Sequence, residues 1–286
     1  MFENATPVDI ALALSVEEFT ARYVRPERPV IVRGALKDWA PSYKWTPQYL
    51  KAMSGSRRVR IGLSANGDYV AYAEKFKLGV GEPEVDFAKA IDGIFAAATA
   101  EQKSRVHQQP LDTWGPLNEE SPPIPYVRRK LIGKNIWMGS AGNVTKLHYD
   151  TEDNINVQIR GRKEIILYPS SQLDELYSQS PWEYMANFSR VDIEKPDLSR
   201  FPLFGRATPW RAVLEPGDFL YIPIYWWHQF YTLDASINVN FWWQARAGQA
   251  MRRQGVRYWP RMAKDGYLHT HILQTVSEMG KSLVAG

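Results

Sequence analysis

Between Asn135 and Trp243 the chain consists of short runs of β-branched and aromatic residues separated by turn residues, a pattern that commits this stretch to a mainly β core. The runs Ile155-Asn-Val-Gln-Ile159 and Glu164-Ile-Ile-Leu-Tyr168 flank a spacer with Gly161 near its centre. They predict a hairpin, with Gly161 at the first central position of a type II′ turn. Further strands are expected from Val213 to Leu220, Tyr221 to Pro223, Gln229 to Leu233 and Ser236 to Trp243. A short helix is expected from Gln172 to Tyr177. Pro181, Pro196, Pro202 and Pro209 then predict an irregular segment from Ser178 to Pro209.

The flanks read differently. Ser15-Val-Glu-Glu18 is a capping box opening a helix to about Tyr23. Pro29-Val-Ile-Val-Arg33 reads as a strand, and Thr46-Pro47 opens a helix through Leu50. Strands are expected from Arg57 to Ile61 and Tyr69 to Ala73, and an amphipathic helix from Asp86 to Glu101. Ala247 to Val284 is expected to be helical, broken near Pro260. The organisation expected is one unit over residues 1–246 and a helical extension over 247–286.

The chain has no cysteine, so thiolate ligands are excluded and a metal would need histidine, carboxylate or water. No apolar run approaches the roughly 18 residues of a membrane span, and no signal peptide is evident. A cytoplasmic protein without a membrane partner is therefore expected. Net charge is +4. Basic clusters occur at Arg57, Arg58 and Arg60, at Arg128, Arg129 and Lys130, and at Arg252, Arg253, Arg257 and Arg261. They read either as solvated surface or as a site for an acidic partner such as transfer RNA.

There are five histidines. His148-Tyr149-Asp150 puts one imidazole and one carboxylate on the same face of a strand, because side chains alternate with period two. His228 lies far downstream, after Gly217-Asp-Phe-Leu-Tyr-Ile-Pro223, and is the candidate third ligand. Two histidines and one carboxylate make a facial triad, which leaves open positions on Fe(II). His269 and His271 are spaced i,i+2 in the helical tail and share no helix face.

The same alternation, taken across the expected turn, bears on Lys163. In the expected hairpin Arg160 faces Lys163, and Asn154, Asn156 and Gln158 share a face with Lys163, Ile165 and Leu167. Extended backward, the same parity reaches Asp150 and His148 unless Thr151-Glu-Asp153 carries a bulge. A lysine facing inward is costly without an anion, which a dicarboxylate would provide. The alternative is that Lys163, beside the turn, reaches solvent.

Together, Asn143-Val-Thr-Lys-Leu-His-Tyr-Asp150, Gly161-Arg-Lys163, Gly217-Asp-Phe-Leu-Tyr-Ile-Pro-Ile-Tyr-Trp-Trp-His228 and Asn238-Val-Asn-Phe-Trp-Trp243 resemble the cupin-like JmjC oxygenases. The likeness is strongest to the subgroup containing the asparaginyl hydroxylase that inhibits hypoxia-inducible factor. It covers residues 135–243, with a weaker likeness from Glu27 to Ala35. The resemblance implies a double-stranded β-helix (a cupin or jelly roll) with N-terminal α/β elements. It implies Fe(II) held by His148, Asp150 and His228, with 2-oxoglutarate and O2 as cosubstrates. By the same resemblance, Lys163 and Thr145 match the partners of the distal carboxylate of 2-oxoglutarate, and Asn154 and Asn240 match residues near its iron-side carboxylate. Thr145 has odd parity relative to His148 and needs an irregular strand. Arg105-Val-His-Gln-Gln109 resembles a stretch where the family often has a tyrosine on the cosubstrate; here the position falls on Val106, beside His107.

The resemblance implies a hydroxylase of a protein or peptide side chain, of a small molecule, or of a transfer-RNA base. His107, Gln108 and Gln109, with Trp182, Tyr184, Phe188 and Trp210, either line a groove for an extended peptide or, for the aromatics, pack the long loop. Apolar residues in the tail, among them Met251, Val256, Tyr258, Trp259 and Met262, suit either a second copy of the chain or its own barrel. Two rival readings are a non-catalytic module on the same fold and a metal-dependent cupin acting without 2-oxoglutarate; Lys163 argues against the second.

Overall fold

In a computed structural model, which describes residues 2–68, 82–96, 102–127, 129–183, 185–244 and 246–264, two sheets face each other across an interior that is part apolar, with Ile31, Leu220, Ile222, Ile165 and Leu167 in one cluster, and part polar. The strands that build them are β1 (Val30–Arg33), β2 (Lys103–Pro110), β3 (Leu131–Gly139), β4 (Val144–Tyr149), β5 (Asp153–Arg160), β6 (Lys163–Tyr168), β7 (Trp210–Leu214), β8 (Phe219–Ile222), β9 (Trp227–Thr232) and β10 (Ser236–Trp243). One sheet runs β8-β5-β10-β3 and is extended by β1 and Asp9–Leu12 on one side and by β2 and Gly62–Ser64 on the other. The other runs β7-β6-β9-β4, with Thr6–Pro7 added beside β7. From β3 to β10 the chain changes sheet at every connection except β6 to β7. This is the double-stranded β-helix expected from the resemblance.

The expected hairpin is corrected by this topology. β5 pairs with β8 and β10, while β6 pairs with β7 and β9, so the two runs lie in opposite sheets. Gly161-Arg162 is a corner between sheets. A two-residue spacer between alternating runs has the same sequence signature in either role. What distinguishes them is that both strands already have two neighbours each and that their inner faces must enclose one interior.

Gly161 adopts φ +65°, and a Cβ there would meet the Ala235 carbonyl oxygen at 2.4 Å. The corner is tied to the β9–β10 turn by Arg162, whose Nε donates to Asp234 Oδ2 at 2.7 Å. We expect Gly161→Ala to lower unfolding free energy by at least about 1–2 kcal/mol, the cost of the left-handed backbone alone. Urea denaturation with an unchanged midpoint would contradict this.

The odd residues of β5 and β10 (Ile155, Val157, Val239, Phe241 and Trp243) face outward into the main apolar core, where Phe19, Leu50, Phe87, Ile91 and Leu117 cover them. Each such side chain contributes about 1.5–3 kcal/mol relative to exposure. Phe19 is delivered by the expected capping box, in which Glu18 N–H donates to Ser15 Oγ at 3.1 Å. The expected helix over 86–101 is Phe87–Phe95.

The outer face of the second sheet, with Leu147, Tyr149, Ile166, Tyr168 and Trp227, is buried by Leu173, Leu176, Val191, Ile193 and Phe201. The long segment between β6 and β7 is thus a packed cover. Within it, the helix expected from Gln172 to Tyr177 is a series of turns, and Leu176 N–H to Gln172 C=O is its α-type bond. Leu173 and Leu176 dock on the sheet without a continued helix.

The strand expected from Val213 to Leu220 is two strands, β7 and β8, separated by a turn at Gly217, whose φ is +90°. The helical tail breaks at Met251-Arg252 and continues through position 260, as Arg253–Lys264. That helix lies against the chain's own body: Arg253 pairs with Asp174, and Arg257 donates to Ser178 Oγ at 3.0 Å. The expected strand at 69–73, Tyr184, His269, His271 and the tail beyond 264 lie outside the described residues. Among the described residues no helix is long and apolar enough to cross a membrane.

Among the described residues the basic clusters are largely engaged. Arg58 pairs with Asp86 and Arg60 with Glu84. Arg57 donates to Thr113 and lies over the Trp114 ring, and Arg252 pairs with Glu27.

Candidate metal centre

His148 and His228 stand directly opposite one another on β4 and β9, with ring centroids 4.2 Å apart. Cross-strand partners share a face, so both point inward with Leu167, which is opposite His228 on β6. Asp150 follows β4 immediately. His148 Nε2 is 3.8 Å from Asp150 Oδ1, and His228 Nε2 is 3.8 Å from Asp150 Oδ2. The three ligand atoms lie within 4.8 Å of one another.

The surroundings prepare this set for a cation. Each imidazole places Nδ1 against a backbone carbonyl: His148 on Lys146 O at 2.8 Å, His228 on Trp226 O at 3.0 Å. A carbonyl accepts only, so Nδ1 carries the proton and Nε2 presents its lone pair. Burial lowers both imidazoles to about 4, His148 being opposed further by His228; near neutral pH both are uncharged. Burial pushes the Asp150 carboxyl up, against the pull of His148 and of hydrogen bonds from Trp242 and Asn154. A divalent ion would supply the missing counter-charge. Two neutral imidazoles and one carboxylate suit a ferrous ion.

β4 reaches this geometry through a bulge. His228 faces His148 and Phe230 faces Thr145, so Lys146 and Leu147 together oppose Gln229 alone. The extra residue reverses parity and turns Thr145 inward beside Phe230, the irregularity its odd numbering required. Leu147 joins the outer core. Outside β4, Asn187 and Ser189 bond to its open edge, which brings Phe188 flat onto His148, centroids 4.8 Å apart and 14° between planes.

Lys163 is also turned inward. Its Nζ donates to Asn238 Oδ1 and lies 5.7 Å from the Phe230 ring centroid. Burial lowers its ammonium to about 7, so an anion beside it would be strongly favoured. On β6 Lys163 is four residues from Leu167, the residue level with His228, roughly 13 Å along the strand. A lysine stem reaching back together with a five-carbon dicarboxylate suits that separation. Gln158 Oε1 and Asn156 Oδ1 are buried without a hydrogen-bond partner, so the interior keeps unused polar capacity. These residues fit 2-oxoglutarate as they fit the metal.

The even residues of β10 complete the wall. Asn240 accepts from Asn135 and Trp137 and donates to Asn154, and Trp242 Nε1 donates to Asp150 Oδ2 at 3.2 Å. Sequence reasoning missed Asn238, Trp242 and Trp137; the period-two alternation of Asn238, Asn240 and Trp242 was the available signal for the first two.

β2 differs from the expectation at Val106. Val106 pairs with Met138 and Gln109 with Ile136, so His107 and Gln108 oppose Trp137 alone. Val106 is buried in the outer core, away from the interior. His107 is the residue turned toward the site, packed edge-on to Trp137 at 4.6 Å, and burial lowers its imidazole well below the usual range. Gln108 carries the strain of this bulge at φ +42° and is exposed. Gln109 donates to the His107 carbonyl at 2.9 Å. Of the loop aromatics, Trp182 is 64% exposed, whereas Trp210 packs against Trp226 at 5.5 Å.

Comparison with known proteins places the geometry in context. A family model described as a cupin-like domain matches residues 16–249. The chain is 31% identical over 236 residues to lysine-specific demethylase 8 of Xenopus tropicalis, covering 80% of this chain and 51% of that protein. It is 34% identical over 240 residues to lysine-specific demethylase JMJ30 of Arabidopsis thaliana, covering 82% and 54% respectively. It is 27% identical over 253 residues to the bifunctional peptidase and (3S)-lysyl hydroxylase JMJD7 of Homo sapiens, covering 79% and 80%. The chain thus spans about half the length of the first two relatives. Its jelly-roll order and the extent of the family match agree: the chain belongs to the cupin-like JmjC domain family.

Proposed function

We propose that this chain is an iron(II)- and 2-oxoglutarate-dependent oxygenase that hydroxylates a protein side chain. The observation that carries the reading is the convergence of His148, Asp150 and His228 on one point, in the same interior as the inward-facing Lys163. When bound, Fe(II) and 2-oxoglutarate supply the activation of O2 and yield succinate and CO2. In this assignment His148 and His228 bind through Nε2, and Asp150 adds the anionic donor. Lys163 and Thr145, flanking Phe230, hold the distal carboxylate of the cosubstrate. Asn154 and Asn240 border its iron-side carboxylate. Phe188, Phe230 and Trp242 exclude water, which strengthens every electrostatic contact inside.

The names of the relatives point to protein lysine as the substrate class. Demethylation and hydroxylation both convert a C–H bond to C–OH; where that carbon is attached to nitrogen, the product loses formaldehyde and the methyl group is removed. His107, Gln108 and Gln109, at the bulge in β2, would meet the incoming chain.

Anaerobic addition of Fe(II) and 2-oxoglutarate should produce the visible band of the chelate, and admitting O2 with a lysine-containing peptide pool should release succinate and add one oxygen to a peptide. A band without O2-dependent succinate release would make the protein a binding module. Turnover equal with and without 2-oxoglutarate would make it a different kind of metal cupin. A mass gain on transfer RNA or on a small molecule, and not on protein, would replace the substrate.

A further inference from the structure

A one-way chain of hydrogen bonds leads from Trp137 to the candidate metal ligand Asp150. The indole Nε1 of Trp137 donates to Asn240 Oδ1 at 2.6 Å. Asn240 Nδ2 donates to Asn154 Oδ1 at 3.3 Å. Asn154 Nδ2 donates to Asp150 Oδ2 at 3.5 Å. Asn135 Nδ2 also donates to Asn240 Oδ1, at 3.3 Å, so both acceptor positions of that oxygen are used.

The direction of this chain is set by chemistry. An asparagine amide looks nearly the same either way round, but an indole N–H only donates and an ionised carboxylate only accepts. With a donor at one end, a carboxylate at the other and two amides between, a single orientation satisfies every link. Asn240 is 1% exposed and Asn154 5% exposed, so a reversed amide would find no water to compensate. Without the indole N–H, Asn135 alone holds the Asn240 oxygen, and the Asn154 N–H that faces Asp150 is fixed less firmly.

We propose that Trp137 is a positioning residue for Asp150, acting through the side-chain amides of Asn240 and Asn154. The proposal rests on the metal-site reading above and names a residue remote from the metal ligands. Trp137 touches neither His148 nor Asp150 in the contacts described. Its ring packs edge-on against His107 and Trp242, at 4.6 and 6.1 Å, and phenylalanine would retain an aromatic ring there while deleting the donor.

The test is a Mn(II) titration of the full chain under anaerobic conditions, followed by electron paramagnetic resonance, for wild type, Trp137→Phe, Asn154→Ala and the double variant, with Asp150→Ala as reference. Trp137→Phe should weaken Mn(II) on the order of 10-fold, as loss of a partner behind a metal ligand does. In the Asn154→Ala background the same change should have no further effect, because the chain is already cut. Thermal melting checks that each variant is folded. Should Trp137→Phe not fold, Asn240→Asp asks the same question: it keeps an acceptor for Trp137 but removes the onward N–H, and should weaken Mn(II) as much or more.

Unchanged affinity in a folded Trp137→Phe protein, or in Asn240→Asp where that variant replaces it, would overturn the relay and leave the metal centre standing. So would an equal loss with and without Asn154, since Trp137 would then act by another route. Wild-type protein that takes up no Mn(II), or Asp150→Ala protein that takes it up undiminished, would remove the metal centre and the relay together.

Discussion

Alanine in place of Asp150 should bring iron- and 2-oxoglutarate-dependent succinate release below detection. Asp150 is the anionic member of the candidate triad, and both imidazoles lie 3.8 Å from its carboxylate oxygens. Removing it leaves the triad two neutral donors and no anionic one. Loss of a residue behind a metal ligand already costs about 10–100-fold, so loss of the ligand should cost more. Alanine at His148 or His228 is expected to act in the same direction. The experiment measures succinate from wild type and each variant at saturating Fe(II) and 2-oxoglutarate, beside a melting curve. Folded Asp150→Ala and His148→Ala proteins that both retain wild-type succinate production would end the ligand assignment.

Lys163→Met should raise the KM for 2-oxoglutarate by about 10- to 100-fold, as expected for one charge-assisted hydrogen bond worth roughly 1.5–3 kcal/mol, while kcat changes less. The same substitution should make the protein without cosubstrate more stable at neutral pH. Burial lowers the folded ammonium to about 7 from an ordinary 10.5. Between those values the unfolded chain binds the proton that the folded chain has lost, so this group's contribution to stability rises with pH. Below about 7 both states are charged, and the burial penalty is fully felt. Methionine, of similar length and without charge, removes that slope. The difference in unfolding free energy between wild type and Lys163→Met should therefore shrink as pH rises from 7 toward 10. A difference independent of pH would falsify the buried-ammonium account. Added 2-oxoglutarate should stabilise wild type preferentially, because it supplies the anion that keeps the lysine charged.

Much of the centre was legible in period-two alternation alone. His148 and Asp150 share a face because they are two residues apart, and the inward direction of Asn154, Asn156 and Gln158 follows from the same rule. Alternation across a hairpin predicts Lys163 inside; it is inside for a different reason, because inner faces of opposed sheets look into one cavity, as one face of a hairpin would. Thr145 could be seen to need an irregular strand, and the bulge at Lys146-Leu147 provides it. Val106 shows the limit: its neighbours His107 and Gln108 form a bulge, so the position that the resemblance aligns with the family's tyrosine packs in the outer core instead. Bulges are set by cross-strand register, which one strand's own letters do not specify.

By itself the sequence determined the mainly β core, the residues that alternate inward along each strand, and a donor set free of thiolates, since side-chain identity and parity are local properties. Only the tertiary structure decided that β5 and β6 part into different sheets, that Phe188 covers His148, and that Trp137 reaches Asp150 through two amides. These contacts join segments tens of residues apart, and their geometry depends on which sheet edge each strand finds when the two layers close over a shared interior.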